Sequence, residues 1–246
     1  MISKTNVKKP TLLLADDHAI VLDGLRRLLE PEFNLVGAVG DGWALLEAAV
    51  RLKPDVIVAD VSMPLLNGIE AVRHLKRVSP SCKVVILSMH GEVEIAAGAL
   101  RAGACGYVLK QSAAEALSHA IWEALGGRTF VSPKIAGSLD TLMEFAQPKD
   151  GQAIHLTQRE REVLQLVAEG RTIRGISSIL KIAARTVVFH KSNIMDKVGR
   201  RTTADLTQYA IQSGVIDIRT PNSEGVSLRG KRLHASVPSA TNLLVA

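Results

Sequence analysis

The sequence predicts two folds in one chain: an α/β domain built on a doubly wound, five-stranded parallel sheet, followed by an all-α domain of four helices. A length of 246 residues and an apolar content of 47% are sufficient for two domains, each with its own core. In the first half, short apolar runs alternate with longer amphipathic stretches, which is the pattern of consecutive strand-helix units. The second half shows no strand pattern, and its periodicity is helical.

Five strand-helix units fill the first half of the chain. Asp, Ser or Pro precedes several of the helices and Gly or Pro follows them, as is usual at helix ends. Because the strands are parallel, their carboxyl ends meet at one edge of the sheet, where ligands bind in such folds. Strands are predicted at residues 11–15, 33–39, 55–59, 83–88 and 105–109, and the helices that follow them at residues 19–30, 42–52, 66–77, 92–102 and 112–126.

The α/β domain is predicted to span residues 10–128 and the helical domain residues 154–214. Between them, a linker at 129–153 contains a predicted helix near 134–146 and a Pro/Lys/Asp/Gly loop. The first helix of the second domain begins with a capping box of Thr157 and Glu160 and ends at Gly170. Three further helices are predicted near 172–180, 184–198 and 202–213, and the tail at 215–246 is expected to be disordered.

Composition argues against a membrane or secreted protein. The sequence has no run of eighteen apolar residues, and its N-terminal apolar stretch breaks into two aspartates. Cys82 and Cys105 lie in apolar surroundings without CxxC spacing, so we expect buried free thiols in a reducing compartment. A cytoplasmic location is therefore predicted.

Charge is distributed unequally between the two halves. Residues 1–130 contain 14 basic and 14 acidic side chains, so the net charge of +6 belongs to residues 131–246. This asymmetry favours an anionic partner such as nucleic acid for the second half, although modest basicity is also typical of an ordinary solvated surface.

Charged and polar side chains follow four of the five predicted strands. Asp16 and Asp17 end the first strand, Asp60 the third, Ser88 the fourth and Lys110 the fifth. Three neighbouring carboxylates repel one another unless they share a cation, and a set of oxygen ligands suits Mg²⁺. With Mg²⁺ bound, Asp60 could accept a phosphoryl group as an acyl phosphate. Each residue alone is more often a loop cap or a surface side chain, but their joint occurrence at one sheet edge favours a site.

The motifs "ADDH", "DVSMPLLNG", "ILSMH" and "GYVLK" occur in this order, and residues 10–128 resemble the receiver domain of two-component response regulators, a flavodoxin-like fold. The resemblance implies that a sensor histidine kinase, or another phosphodonor, phosphorylates Asp60. It also implies that Asp17 is a direct Mg²⁺ ligand, that Asp16 is a ligand through water, and that Ser62 is one through its backbone carbonyl.

The same resemblance assigns roles after phosphorylation. Ser88 and Lys110 match the positions that sense the phosphoryl group, and Tyr107 matches the aromatic switch residue of the family. An ordinary half-buried strand tyrosine is an equally good interpretation of Tyr107 from sequence alone.

The segment "EGRTIRGISSILKIAARTVVFHKSNIMDKVGRRTT" predicts two short helices joined by a tight connection. In the second helix, an apolar stripe that includes Val187 and Ile194 should face the core. A helix-turn-helix places such a second helix in the major groove while basic residues bind phosphates, although a helical bundle that bridges proteins would show the same stripe. The predicted DNA contacts are Ile173, Arg174, Arg185, Thr186, Val188, Phe189, Lys191, Ser192, Asn193, Lys197 and Arg200.

Residues 154–214 resemble the LuxR-type (NarL/FixJ) output domain, with the helix-turn-helix at Ile173–Ser192. Three positions depart from the family pattern: Gly175 replaces a helix former, Ala183 replaces the usual serine N-cap, and Val188 replaces a basic residue. Base preference therefore does not transfer, and Val188 or Phe189 could contact thymine methyl groups. The resemblance implies that the fourth helix supplies a dimer face, with Leu206, Tyr209 and Ala210 as its expected residues.

These patterns together predict a DNA-binding transcriptional response regulator that is not an enzyme in the ordinary sense. Promoter DNA, a histidine kinase and a second copy of the phosphorylated chain are its expected partners. A phosphohydrolase acting through an aspartyl phosphate would need two acids spaced DxD on the first strand, whereas this strand ends in adjacent acids. A receiver joined to a protein-docking module would show no steep salt dependence of nucleic-acid binding. A receiver that works without phosphorylation would not need the intact acidic set.

Overall fold

The computed structural model describes residues 9–138 and 155–216. In the first range, six parallel strands alternate with helices, and a 3₁₀ turn at Lys110–Ser112 follows the fifth strand. The strands are β1 (Thr11–Ala15), β2 (Asn34–Val39), β3 (Val56–Asp60), β4 (Lys83–Ser88), β5 (Gly106–Leu109) and β6 (Phe130–Val131). The helices are α1 (Ala19–Leu29), α2 (Gly42–Leu52), α3 (Gly68–Val78), α4 (Val93–Ala102), α5 (Ala113–Leu125) and α6 (Pro133–Ala136).

The sheet has the strand order β2-β1-β3-β4-β5-β6, and every pair is parallel. The predicted doubly wound α/β fold is confirmed, but the expected number of five strands is wrong by one. Strand β6 pairs Phe130 with Gly106 and Val131 with Tyr107, inside the segment predicted as linker. A two-residue strand is too short to show a period in the sequence.

Both faces of the sheet are covered by helices because side chains alternate along each strand. Leu13, Ile57 and Ile86 contribute to the core shared with α2, α3 and α4, whereas Leu12 and Val58 contribute to the core shared with α1 and α5. Strand β3 is buried along its whole length, including its terminal aspartate. The core thus fixes the strand ends at which the polar residues stand.

The second described range forms the predicted four-helix domain. Its helices are α7 (Gln158–Ala168), α8 (Ile173–Leu180), α9 (Ala184–Val198) and α10 (Thr203–Gln212). The capping box of Thr157 and Glu160 is confirmed at the start of α7. Helix α9 begins after Ala183, whose side chain makes no capping hydrogen bond.

Some predicted features lie outside the described residues. Most of the linker helix expected at 134–146 lies outside them, and only α6 is described in that segment. The tail from residue 217 onwards also lies outside the described residues.

Among the described helices, none is both long and apolar enough to cross a membrane. Both cysteines are free, as expected, but only Cys82 is buried, whereas Cys105 is half-buried. Burial raises the pKa of the Cys82 thiol to about 12.

Candidate functional site

Strands β1 and β3 are neighbours, and their carboxyl ends bring Asp16 and Asp60 together. Both side chains are buried, with exposures of 1% and 4%. The backbone at Gly68 passes so close to this strand end that a Cβ there would lie 2.0 Å from the carbonyl oxygen of Asp60. A glycine is therefore required for the loop after β3 to return to the start of α3.

Lys110 supplies the cation that a buried carboxylate at the end of β3 requires. Its Nζ lies 2.9 Å from Oδ2 of Asp60 and 2.7 Å from Oδ2 of Asp16. Lys110 stands directly after β5, so the fold brings it to the same sheet edge. Isolated buried carboxylates are costly, and this pairing compensates two of them at once.

The charge balance of the pocket still favours a further cation. Burial raises the pKa of the Asp60 carboxyl, and Lys110 only partly offsets this effect. Burial likewise raises the pKa of Asp17, against the opposing effect of His18. Burial would lower the pKa of Lys110, but the carboxylates of Asp60 and Asp16 raise it above its usual value. Three carboxylates facing one ammonium form an acidic cluster that is compatible with a divalent metal ion.

His18 also belongs to this cluster, and sequence reasoning assigned it no role. Ligand atoms of Asp16, Asp17, His18 and Asp60 all lie within 4.8 Å of one another. Nδ1 of His18 lies 2.8 Å from Oδ1 of Asp17 and 3.2 Å from Oδ1 of Asp16. The sequence feature that could have identified His18 is its position directly after the aspartate pair in "ADDH".

Ser88 and Tyr107 meet around His90, a second residue that sequence reasoning left out. The backbone N–H of His90 donates to Oγ of Ser88 at 3.0 Å, and the Tyr107 hydroxyl donates to the His90 carbonyl at 2.9 Å. Nε2 of His90 lies 3.3 Å from Oγ of Ser62, in the loop after Asp60. Tyr107 is completely buried, and this burial raises its pKa. The β4–α4 loop therefore links Ser88, Tyr107 and the loop that follows Asp60.

The loop after Asp60 is also bound by the helical domain. We call residues 61–67 the acceptor loop. Gln165 of α7 accepts a hydrogen bond from the N–H of Asn67 at 2.8 Å and donates one to the carbonyl of Met63 at 2.9 Å. Oε1 of Glu169 accepts from the N–H of Leu65 at 3.0 Å. The side chains of Gln165 in α7 and of Glu169, directly after α7, thus bind three backbone groups of the loop.

Leu65 adopts a strained conformation within this loop. Its φ of +67° lies in the left-handed region, which is unfavourable for a residue with a branched side chain. The Leu65 side chain packs against the core of the helical domain, and its N–H bonds to Glu169. Docking of the helical domain therefore helps to hold the conformation of the acceptor loop.

Ion pairs and a close contact extend this interface. Arg161 of α7 binds Glu70 of α3, and Nε2 of His74 lies 2.9 Å from Oε1 of Glu162. A Cβ at Gly214 would lie 2.6 Å from Cδ1 of Ile95 of α4, so the end of the helical domain also touches the α/β domain. The partners in these ion pairs lie about ninety residues apart, so no local pattern in a single sequence predicts that they meet.

Helix α9 presents an exposed face beside a buried one. Val187 and Ile194 are fully buried in the helical core. Arg185 and Ser192 are exposed on the opposite side, and the side chains of Val188 and Phe189 are 53% and 61% exposed between them. Outside α9, Arg174 in α8 and Arg200, two residues after the end of α9, are also exposed. The other predicted contacts Ile173, Thr186 and Asn193 are half-buried.

Two of the predicted basic contacts are engaged within the domain. Nζ of Lys197 lies 2.7 Å from Oε2 of the buried Glu160, and Nζ of Lys191 donates to Oγ1 of Thr203 at 2.7 Å. Lys197 thus compensates the capping-box carboxylate of α7, and both interactions link α9 to the rest of the helical domain.

The predicted dimer face on the fourth helix needs correction. Leu206 and Ala210 are fully buried in the helical core, and Tyr209 is half-buried. The apolar stripe of α10 packs against α7, so Leu206 and Ala210 are not available to a second chain. The apolar positions of a short helix alone do not distinguish the core of its own domain from an interface.

Comparisons with known proteins match both halves of the chain. Residues 12–122 match the response regulator receiver domain, and residues 155–210 match the luxR family of bacterial regulatory proteins. The transcriptional regulatory protein DegU of Brevibacillus brevis is 33% identical over 236 residues, which cover 89% of this chain and 100% of DegU.

Solved structures of the regulator RcsB are similar over most of the chain. RcsB from Salmonella enterica serovar Typhimurium, bound to promoter rprA in the presence of the phosphomimetic BeF₃⁻, is 30% identical with a TM-score of 0.57, covering 82% of this chain and 98% of RcsB. A structure of two RcsB dimers bound to two parallel DNAs is 30% identical with a TM-score of 0.51, covering 84% and 99%. With its acidic cluster in a receiver fold and the exposed face of α9 in a LuxR-type domain, the chain belongs to the LuxR family of DNA-binding two-component response regulators.

Proposed function

We propose that phosphorylation of Asp60, dependent on Mg²⁺, controls dimerisation of this regulator and its binding to promoter DNA. One observation carries the proposal: Lys110, Asp16 and Asp60 meet at the carboxyl edge of the sheet, with Asp17 and His18 alongside. A buried carboxylate with a fixed ammonium beside it is suited to form and stabilise an acyl phosphate.

Asp16, Asp17, Asp60 and the backbone carbonyl of Ser62 would hold Mg²⁺. When bound, the ion would neutralise the carboxylates and the incoming phosphoryl oxygens. A carboxylate oxygen of Asp60 attacks the phosphorus of the donor, and the bond from phosphorus to the donor breaks as the acyl phosphate forms. Lys110 then pairs with a phosphoryl oxygen, and the Ser88 hydroxyl donates to another.

The signal passes to the helical domain through the two loops around Asp60. When Ser88 turns to the phosphoryl group, the contacts among Ser88, His90 and Tyr107 rearrange, so that Tyr107 acts as a switch. The acceptor loop moves with them because Ser62 contacts His90. Its hydrogen bonds to Gln165 and Glu169 then weaken, and the population shifts towards chains whose helical domain is free to dimerise on DNA.

The partners follow from this cycle. A sensor histidine kinase serves as phosphodonor in the cytoplasm, and double-stranded promoter DNA is the target. DNA contacts come from the exposed side of α9 and its flanks, with Arg174, Arg185 and Arg200 among the exposed cations. RcsB, which is 30% identical to this chain, has been solved on promoter DNA in the presence of a phosphomimetic and as dimers on DNA, and these complexes support promoter DNA and a second copy of the chain as partners. Phosphoryl transfer is confined to the chain's own Asp60.

Labelling with radioactive acetyl phosphate tests the phosphoacceptor. The wild-type chain should incorporate label in Mg²⁺ and lose incorporation in EDTA. Asp60→Asn should abolish labelling, whereas Asp23→Asn, which removes an exposed carboxylate of α1, should label like the wild type. Label that persists in Asp60→Asn at another residue would refute the assignment.

A further inference from the structure

We propose that Val188 and Phe189 read the C5 methyl groups of thymines in the major groove, so that the operator of this protein requires thymine at the positions they face. The inference rests on the proposed binding of promoter DNA and specifies which bases that binding selects.

The exposure of these two side chains calls for an explanation. Val188 and Phe189 are 53% and 61% exposed, although both lie in a helix whose other face is well packed. The Phe189 ring has an edge contact with His190, at 5.9 Å between centroids, and is otherwise open to solvent over most of its area. Other large apolar side chains are also exposed, among them Ile20 at 84%, but Val188 and Phe189 are neighbours and form one apolar patch, which favours a binding surface.

Helical geometry places the pair where base edges would lie. Arg185 precedes Val188 and Phe189 by three and four residues, and Ser192 follows them by four and three, so all four share one face of α9. This face belongs to the N-terminal half of the helix, which is the part of a recognition helix that contacts base edges. Val188 and Phe189 stand on either side of the line from Arg185 to Ser192, so they face different base pairs.

The positive charge around Val188 and Phe189 indicates that the molecule bound by this surface is DNA. Arg174, Arg185, Arg200 and Arg201 are all exposed in the same domain, and the net charge of +6 belongs to the second half of the chain. Phosphates are the natural partners of such a set. Between phosphates, the thymine methyl is the apolar group that base pairs present in the major groove. Arg185 differs from the other three arginines because it lies on the same face of α9 as Val188 and Phe189, one turn nearer the start of the helix, where it is suited to a bidentate contact with guanine rather than with phosphate.

The experiment begins by selecting sites from a random double-stranded DNA library with the full chain, treated with acetyl phosphate in Mg²⁺. Each thymine of the enriched half-site is then replaced in turn by deoxyuridine, which removes only the methyl group. At one or two positions the substitution should weaken binding about four-fold, the factor expected for one buried methyl-sized group.

The variants Val188→Ala and Phe189→Ala should each lose the deoxyuridine penalty at one of these positions and bind thymine and deoxyuridine sites equally well. Arg200→Ala is the matched control: it should weaken binding to both sites alike and reduce the salt dependence. Because Val188 and Phe189 are exposed, the variants should unfold at the wild-type temperature.

Enriched sites that bind equally well with thymine or deoxyuridine would overturn the inference and leave DNA binding intact. A deoxyuridine penalty that persists in both alanine variants would also overturn it. Variants that keep wild-type DNA affinity would assign the apolar pair to a protein partner instead. Failure to enrich any site would refute the proposed function itself.

Discussion

At the scale of single residues, Lys110 explains how a fully buried strand can end in a carboxylate. Its ammonium contacts both Asp60 and Asp16, so neither charge is buried alone. The sequence was sufficient to place these residues at one edge, because parallel strands end on the same side and each of these residues follows a strand. His18 and His90 were not assigned because a single histidine has many ordinary roles and no spacing singled it out.

The raised pKa of Asp60 predicts an unusual dependence of stability on pH. Because the folded pKa lies above the usual aspartate value of 3.8, the folded state binds more protons than the unfolded state just above that value. Without Mg²⁺, Asp60 should therefore lower the free energy of unfolding as the pH rises from about 4 through its folded pKa.

Urea denaturation in EDTA at a series of pH values measures this contribution. Asp60→Asn should flatten the decrease, whereas Asp23→Asn should follow the wild-type curve. Equal slopes in the wild type and in Asp60→Asn would contradict the assigned burial of this charge.

At the scale of secondary-structure elements, the strength of the local signal decided what could be predicted. Strand β3 and the capping box of α7 have clear patterns, and both are present. Strand β6 has two residues and gains its place from pairing with β5, which no local pattern encodes. The role of α10 was also undetermined, because its apolar stripe fits an interface as well as a core.

Helix α9 lacks a side-chain cap, and this defect can be repaired. Ala183 has the extended conformation of an N-cap, with φ −63° and ψ 145°, but no side-chain oxygen to accept from the first turn. Ala183→Ser should therefore increase the free energy of unfolding of the helical domain by about 1 kcal/mol. Chemical denaturation followed by helical circular dichroism measures the change.

Thr172→Ala provides the matched control. Thr172 caps α8 by accepting from the N–H of Gly175 at 3.1 Å, so its loss should cost a similar amount, about 1 kcal/mol. An Ala183→Ser variant no more stable than the wild type would show that α9 begins elsewhere.

At the scale of the whole molecule, the helical domain docks on the acceptor loop, while the exposed side of α9 stays open. Gln165 and Glu169 bind backbone groups of the acceptor loop, and Leu65 is held there in a strained conformation. Regulation would then act by releasing the helical domain for pairing on DNA, without any need to uncover α9. Sequence reasoning identified both domains but not this contact, because its partners lie far apart and bind mostly backbone groups.

Removal of Gln165 should loosen the two domains. Gln165→Ala deletes two buried hydrogen bonds to the acceptor loop, so the unphosphorylated chain should bind DNA more tightly and approach the affinity of the phosphorylated wild type. Gln111→Ala, which changes an exposed glutamine of the α/β domain, should leave the affinity unchanged. If Gln165→Ala still needed acetyl phosphate to bind DNA as tightly as the phosphorylated wild type, this contact would have no part in regulation.

The most direct test of the central claim is footprinting on genomic DNA fragments, with and without acetyl phosphate, for the wild type and Asp60→Asn. We expect that acetyl phosphate increases wild-type protection of specific paired half-sites at least several-fold, and that Asp60→Asn shows no increase. Protection that is equally strong in both proteins and indifferent to acetyl phosphate would contradict control through Asp60.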